Sequence, residues 1–420
     1  MSRIAARQTP PDTTAPAPST RAERARLVLI LGSLSAFGPL SIDMYLPGLP
    51  RLAATLDAPA WAAQLTLTAC LAGLALGQML AGPLSDRFGR RRPLLIGVAA
   101  YAAASLLCAL APSILALVAL RLVQGFAGAA GIVIARAVVR DMHSGVAAAR
   151  YFSLLMLVNG LAPVLAPVAG GQLLEVTSWR GVFVVLAVIG LALLAATAAG
   201  LPETLSAERR HAGGVRETLH TFARLTRDRV FIGHALAGGL AFGAMFAYIA
   251  GSPFVLQDIY GASPQLFSVM FAVNALGIVA AGQLNRAVVG RFGPRGILCA
   301  AVAVQAAAGL ALLAVVAVGG LGVWPVVALL FVVVAAIGLV VPNGTALALA
   351  DHPRVAGSAS ALLGVLQFSV GAATAPLVGV AGSTSALPMA GLIAVMGVGA
   401  VLAATVVARA PRSGPVAAAA

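Results

Sequence analysis

The sequence predicts an all-α integral membrane protein, with twelve transmembrane helices in two pseudo-symmetric six-helix bundles. Three observations predict it. Of the 420 residues, 60% are hydrophobic and only 10% charged, against about 25% charged in an ordinary soluble protein. Mean hydropathy is +0.99. Uncharged runs recur at lengths that match one or two bilayer crossings of about 20 residues each. A soluble enzyme, a fibre and a disordered chain are excluded by that composition.

Residues 1–25 are rich in Pro, Thr, Ala and Arg and read as a disordered tail. Span 1 follows at about Ala25–Tyr45, and span 2 at about Ala62–Leu84. Residues 93–120 carry no charge over 28 positions, too long for one crossing. Pro112 and Ser113 divide them between span 3 and span 4, which continues to about Arg140. Span 5 covers about Tyr151–Leu174, and span 6 about Gly181–Leu201. The first bundle is thus expected over residues 26–201.

Residues 202–229 carry six Arg and four acids and read as a linker. The second bundle is expected over 230–409, before a tail at 410–420. Span 7 lies at about Val230–Leu256, and span 8 at about Gln265–Val289. Residues 296–350 are uncharged for 55 positions. Gly319-Gly320 and Gly322 to Pro325 split them into spans 9 and 10. Gly382 to Ser385, with Pro388, splits residues 355–408 into spans 11 and 12.

Charge sets the expected orientation. The net charge is +14, and all 27 basic residues are Arg. With both termini cytoplasmic, 23 Arg fall on the inner side and only Arg51 and Arg180 outside; Arg121 and Arg136 lie within span 4. That asymmetry is the positive-inside pattern, and it accounts for the charge without nucleic acid. Cys70, Cys108 and Cys299 show no CxxC or metal spacing, so no disulfide framework and no metal site are expected.

The halves repeat. Span 2 ends Gly82-Pro-Leu-Ser-Asp86-Arg87-Phe88-Gly89-Arg90-Arg91. Span 8 ends Gly282-Gln-Leu-Asn285-Arg286, followed by Gly290-Arg291-Phe292-Gly293. Both fall after the second helix of a six-helix half, as in transporters built from parallel repeats.

These residues resemble the loop motif of the major facilitator superfamily. More closely, the chain is similar to its Bcr/CflA subfamily, the bicyclomycin-resistance type of bacterial drug efflux transporters. The segments that carry this are Ser41-Ile-Asp43-Met-Tyr45-Leu-Pro47, Arg121-x-x-Gln124-Gly125, Arg140-Asp141, Ser178-Trp179-Arg180, Pro202-Glu203-Thr204, Ser252-Pro253-Phe254 and Pro342-Asn343. The resemblance implies proton-coupled export of drugs or metabolites by alternating access across the inner membrane. The expected partners are hydrophobic or amphipathic small molecules, protons and the lipid bilayer. The expected state is a monomer that uses no cofactor and is driven by the proton gradient. An uptake symporter is the alternative, and an integral-membrane enzyme a remote one. The spans contain no HxxH, paired-Asp or Ser/His/Asp constellation, so no catalytic residues are expected.

The residues themselves nominate a site. Asp43 is an acid in an apolar helical run, and such groups mark proton or ligand pathways. The position of a second acid found in some relatives is Ser35 here. Arg121 keeps its charge and needs a partner, and Gln124 lies one turn on from it. Together with Asp43, the resemblance assigns Arg121 to proton coupling, and a direct pairing of the two is one expectation. Arg136, further along span 4, reads equally as a functional cation or one snorkelling to the interface. Candidate cavity residues are Tyr45, Gln124, Phe242, Phe246, Tyr248, Asn274, Asn343 and Gln367. Gly82, Asp86, Arg87, Gly89, Arg90 and Arg91 form a candidate conformational latch. Pro163, Pro167, Gly170 and Gly171 in span 5 resemble the antiporter motif of drug exporters, with Ala166-Pro167 where Gly-Pro is usual.

Overall fold

The computed structural model describes residues 21–142, 145–210, 215–352, 355–379 and 384–408. The expected tail at 410–420, and the first twenty residues of the N-terminal one, lie outside these. Residues 21–25 are already helical, as their Arg, Ala and Glu content favours.

Every regular element is helical among the described residues. In chain order they are α1 (Arg21–Ser35), α2 (Phe37–Asp43), α3 (Leu49–Thr55), α4 (Ala60–Phe88), α5 (Arg91–Ala109), α6 (Ile114–Met142), α7 (Gly145–Val176), α8 (Trp179–Gly200), α9 (Val215–Leu225), α10 (Arg229–Phe254), α11 (Pro264–Val318), α12 (Val323–Ala335), α13 (Ile337–Leu349), α14 (Ala356–Val378) and α15 (Leu387–Leu402). Among the described residues nine helices are long and apolar enough to cross a membrane, and a bent N-terminal pair makes a tenth. The 55-residue α11 breaks at Gly293, with φ of 68°, and so supplies spans 8 and 9. With the 32-residue α7 as span 5, the total is twelve.

Span 1 departs from the expected continuous helix. It breaks at Ala36 between α1 and α2 and bends by 45° overall. Pro39 has no N–H to return to the Ser35 carbonyl, which weakens the helix at that turn. A 3-10 turn at Leu46–Gly48 then leads into α3. Span 10 is similarly interrupted, between α12 and α13, ahead of Pro342.

Residues 202–229 hold a short amphipathic helix, α9. Phe222 and Leu225 on one face pack with Phe231, Ala348 and Leu362 of the second half. Asp228 caps span 7, its Oδ1 accepting from the Val230 and Phe231 N–H groups.

Small residues set the distance between helices. Added Cβ atoms at Gly73 and Gly125 would strike the Leu122 and Cys70 carbonyl oxygens, respectively. Spans 2 and 4 therefore touch backbone to backbone along a glycine seam. Close approach through small residues is the usual basis of helix association in lipid.

Candidate functional site

Between the two halves lies a cavity of about 1050 Å³. Spans 1, 2, 4 and 5 line it from the first half, and spans 7, 8, 10 and 11 from the second. It reaches the end of the molecule that carries the linker, where Asp86, Arg140, Phe222 and Ser358 form its rim. At the far end the halves are joined. Gln64 Nε2 donates to the Ala250 carbonyl at 3.0 Å, and Thr68 Oγ1 to the Ala372 carbonyl at 2.8 Å. Gln265 Nε2 reaches the Gly171 carbonyl at 3.3 Å. The arrangement is open at the linker end and shut at the other.

Asp43 sits at the C-terminal end of α2, in the cavity wall. It is 5% exposed, and among the described residues no hydrogen bond or ion pair reaches its carboxyl. Opposite stand Tyr248 and Asn274, with Asn274 Nδ2 donating to the tyrosine oxygen at 2.8 Å. Phe242, Phe246 and Phe368 form an aromatic cluster with ring centroids 4.9 and 5.8 Å apart. All three line the cavity together with Gln367, Ser35 and Pro163.

The structure does not bring Arg121 to Asp43. Arg121 is wholly buried on span 4, in a cage away from the cavity. Its guanidinium lies 4.5 Å from the Tyr45 ring and 5.6 Å from that of Phe183. Nη1 donates to Gln124 Oε1 at 2.5 Å, while Nε and Nη2 have no hydrogen-bond partner among the described residues. A chain of contacts runs on from there. Gln124 Nε2 donates to Ser105 Oγ, Ser105 Oγ to the Tyr101 carbonyl, and the Tyr101 hydroxyl pairs with Ser41 at 2.8 Å. Tyr45 in turn pairs with Thr66. Ser41 and Tyr45 flank Asp43 in sequence, so the network brackets Asp43 without touching it.

Three nominated cavity residues therefore lie elsewhere. Tyr45 and Gln124 turn inward because the buried guanidinium needs a π face and an acceptor. Asn343 is buried, donating to Asn285 Oδ1 at 2.6 Å and ties spans 8 and 10 together. Arg136, in contrast, is exposed into the cavity, with Arg140 one turn nearer its rim.

The loop between spans 2 and 3 centres on Arg90, which is buried. Its Nη1 meets Asp86 Oδ1 at 2.5 Å and Ser85 Oγ at 2.7 Å; its Nε meets Asp141 Oδ2 at 2.8 Å. Gly89 turns with φ of 87°, and a Cβ there would strike the Glu203 carboxylate. Glu203 accepts the backbone N–H groups of Arg90, Arg91 and Leu205. Burial opposes its charge, but those donors and nearby Arg210 hold its carboxyl below the ordinary range. Arg91 donates to the Leu201 and Ala198 carbonyls, and Arg87 lies over the Phe88 ring. Gly82 belongs to the cavity wall. Spans 2, 3, 4 and 6 are thus pinned at one point, and Asp141 and Glu203 supply two of its three carboxylates. Arg90→Ala strands the largely buried Asp141, while the half-exposed Asp86 stays solvated, and should destabilise the fold by about 3 kcal/mol, read as a lower unfolding temperature in detergent. Arg87→Ala should leave that temperature nearly unchanged.

In span 5, Pro163 and Pro167 lie within the helix. An added Cβ on Gly170 would meet the Met44 carbonyl, next to Asp43, and one on Gly171 would meet Ser268 and the Pro264 carbonyl of the other half.

The chain resembles known transporters over nearly its whole length. The model of the Major Facilitator Superfamily matches residues 31–376. The chain is 43% identical to the uncharacterised MFS-type transporter YdgK of Bacillus subtilis, over 90% of this chain and 94% of that one. It is 33% identical to a bicyclomycin resistance protein homologue of Haemophilus influenzae, covering 86% and 91%. The fold matches that of the nucleoside transporter NupG with a TM-score of 0.73 at 14% identity, over 91% of this chain and 98% of that one. Twelve membrane-crossing helices around a central cavity, with these relatives, place the chain in the major facilitator superfamily.

Proposed function

We propose that this protein is a proton-coupled exporter of amphipathic small molecules, working by alternating access across the bacterial inner membrane. The observation that carries the reading is Asp43. It is a carboxyl without a partner among the described residues, in the wall of an aromatic-lined cavity closed at one end. A membrane-embedded acid with no counter-charge is costly to keep ionised. It can exchange its proton for a cationic ligand group, and that exchange is the coupling step of an antiporter. The drug-resistance relative from Haemophilus influenzae favours export. The Gly and Pro of span 5 favour it too, resembling the motif of exporters.

Arg121 is the second part of the proposal. It acts on Asp43 by positioning, through the contacts that hold Ser41 and Tyr45, and not by direct pairing in this conformation. The Arg90 cluster is proposed as a latch that holds the linker ends of spans 2, 3, 4 and 6 as one block while the halves rock.

Both termini and the linker are placed in the cytoplasm, from the Arg asymmetry. The open end of the cavity then faces the cytoplasm, where an exporter loads. Reporter fusions test the placement: one after Arg51 should read periplasmic and one after Arg216 cytoplasmic. Reversed signals at either position overturn it. The function is tested in a pump-deficient host by a drug susceptibility panel. Raised resistance that vanishes with a protonophore supports export, whereas proton-driven accumulation of the same compounds would show uptake.

A further inference from the structure

The cavity wall carries three charged groups outside the Arg90 cluster: Asp43, Arg136 and Arg140. Its remaining titratable groups are Tyr248, which accepts from Asn274, and Asp86, which is held by Arg90. Arg136 is the unexplained member. It points into the cavity and is exposed there, yet no hydrogen bond or ion pair joins it to any described residue. An arginine at membrane depth without a carboxylate is costly to keep. Its planar fork matches a carboxylate or phosphate group.

Its height relative to Asp43 follows from the packing. A Cβ on Gly38 would touch the Cδ1 tip of Ile132, and one on Gly131 the Leu34 carbonyl oxygen, so Ile132 packs beside the Leu34–Gly38 turn of span 1. Asp43 lies five residues beyond Gly38, and nine beyond Leu34, toward the far end, and Arg136 four residues beyond Ile132 toward the linker end. At about 1.5 Å per residue the two Cα levels are roughly 13–20 Å apart. Side chains lean toward the N-terminus of their own helix. Because spans 1 and 4 run in opposite directions, the carboxylate and guanidinium lean toward each other. Roughly 10 Å then separates the charged groups along the cavity. Phe242, Phe246 and Phe368 line the same cavity from the other half.

We propose that the cavity selects amphoteric solutes. Asp43 takes a cationic amine, Arg136 takes an acidic group about 10 Å away, and the aromatic cluster holds the apolar body between them. The inference rests on the antiporter reading and deepens it. The amine competes with the proton at Asp43, which couples export to the gradient. The acidic group binds at Arg136 whether or not Asp43 is protonated, so it adds affinity without opposing the exchange. Arg140, nearer the rim, attracts the same group during entry.

The test uses the full chain in lipid nanodiscs and three matched probes. They are 4-(piperazin-1-yl)benzoate, which carries both charges, its methyl ester, which carries only the amine, and its N-acetyl derivative, which carries only the acid. Calorimetric titration reads affinity, and a pH dye in weak buffer reads proton release. The zwitterion should bind wild type about tenfold or more tighter than either derivative, as charge-assisted contacts imply. Arg136→Gln should remove its advantage over the ester and leave the ester binding no more weakly than to wild type, because the ester presents only a cation. Arg136→Lys should restore part of it. Thermal unfolding confirms that each variant is folded. No advantage of the zwitterion in wild type, including no binding at all, overturns the inference, as does an advantage that survives Arg136→Gln. If the ester releases a proton while the zwitterion gains nothing, the antiporter reading stands and this inference fails. If probes bind and none releases a proton, the antiporter reading itself fails.

Discussion

Asp43→Asn should reduce gradient-driven transport to the level of protein-free vesicles while leaving the protein folded. The variant keeps the size and most of the shape of the side chain. It breaks no contact, since no hydrogen bond or ion pair reaches Asp43 among the described residues. Removing an ionisable group from a buried position relieves a desolvation cost, so stability should change by less than about 1 kcal/mol or rise. What is lost is the one carboxyl without a counter-charge that this half presents to the cavity among the described residues, since Asp86 at the rim is held by Arg90. The check separates two modes of flux in proteoliposomes. Uptake driven by an imposed pH gradient needs the proton to move, whereas exchange of labelled for unlabelled substrate does not. The asparagine variant should fail in the first and keep the second only at raised substrate concentration, because the carboxylate that takes a cationic group is lost together with the proton site. Full gradient-driven flux in the variant would remove Asp43 from the mechanism. Arg121→Ala makes a useful companion. If Arg121 acts only by positioning, its loss should slow both modes together.

The fold was legible because lipid imposes a coarse rule. A span must be apolar for about 20 residues, and uncharged runs such as 296–350 show that directly. The interruption of span 1 was legible only in part. Pro39 stood in the sequence, yet one proline in an apolar run does not say whether a helix kinks or breaks. Asp43 and the three cavity aromatics Phe242, Phe246 and Tyr248 were readable as chemistry, because an acid or a ring cluster in a span is conspicuous. Which face each helix turned was not. Tyr45 is two residues from Asp43, so a helical turn of about 100° per residue carries it to a different side, into the Arg121 cage. The partners of Arg90 were missed for another reason. Asp141 and Glu203 are 51 and 113 positions away, and only the packing of spans 3, 4 and 6 brings them together. Ser41, Tyr101 and Ser105 carry no signal of their own. A hydroxyl in a span usually bonds back to its own helix, as Ser35 does to Leu31.

Gly171→Leu should hold the far end of the molecule open and nearly stop transport. That end is shut where span 5 meets span 8 and span 2 meets span 11. At both places a glycine forms the point of contact. A Cβ on Gly171 would overlap the Ser268 side chain and press on the Pro264 carbonyl, and one on Gly379 would overlap the backbone of Trp61 and the Gln64 side chain. Backbone atoms cannot yield at Gly379, and at Gly171 the short Ser268 side chain and the Pro264 carbonyl leave no room for the further atoms of a leucine, so a leucine at either position forces the halves apart. Overpacking of this kind costs about 1–3 kcal/mol, and each 1.4 kcal/mol shifts a two-state population about tenfold. The cost falls only on the conformation drawn here. In the opposite conformation these contacts are released, so the equilibrium moves toward it. Spin labels on Glu175→Cys and Asp258→Cys, both exposed at the far end of their spans, report the separation of the halves. The native Cys70, Cys108 and Cys299 are replaced by alanine in that background. Pulsed dipolar spectroscopy should show the distance distribution moving to longer values in Gly171→Leu and in Gly379→Leu. Gly391→Leu is the control, because its added side chain meets open space, and it should leave the distribution in place. Wild-type distances and wild-type flux in Gly171→Leu would mean that the far end does not separate during transport. The span 5 glycines would then serve packing within a fixed interface, and alternating access about this cavity would be the wrong description.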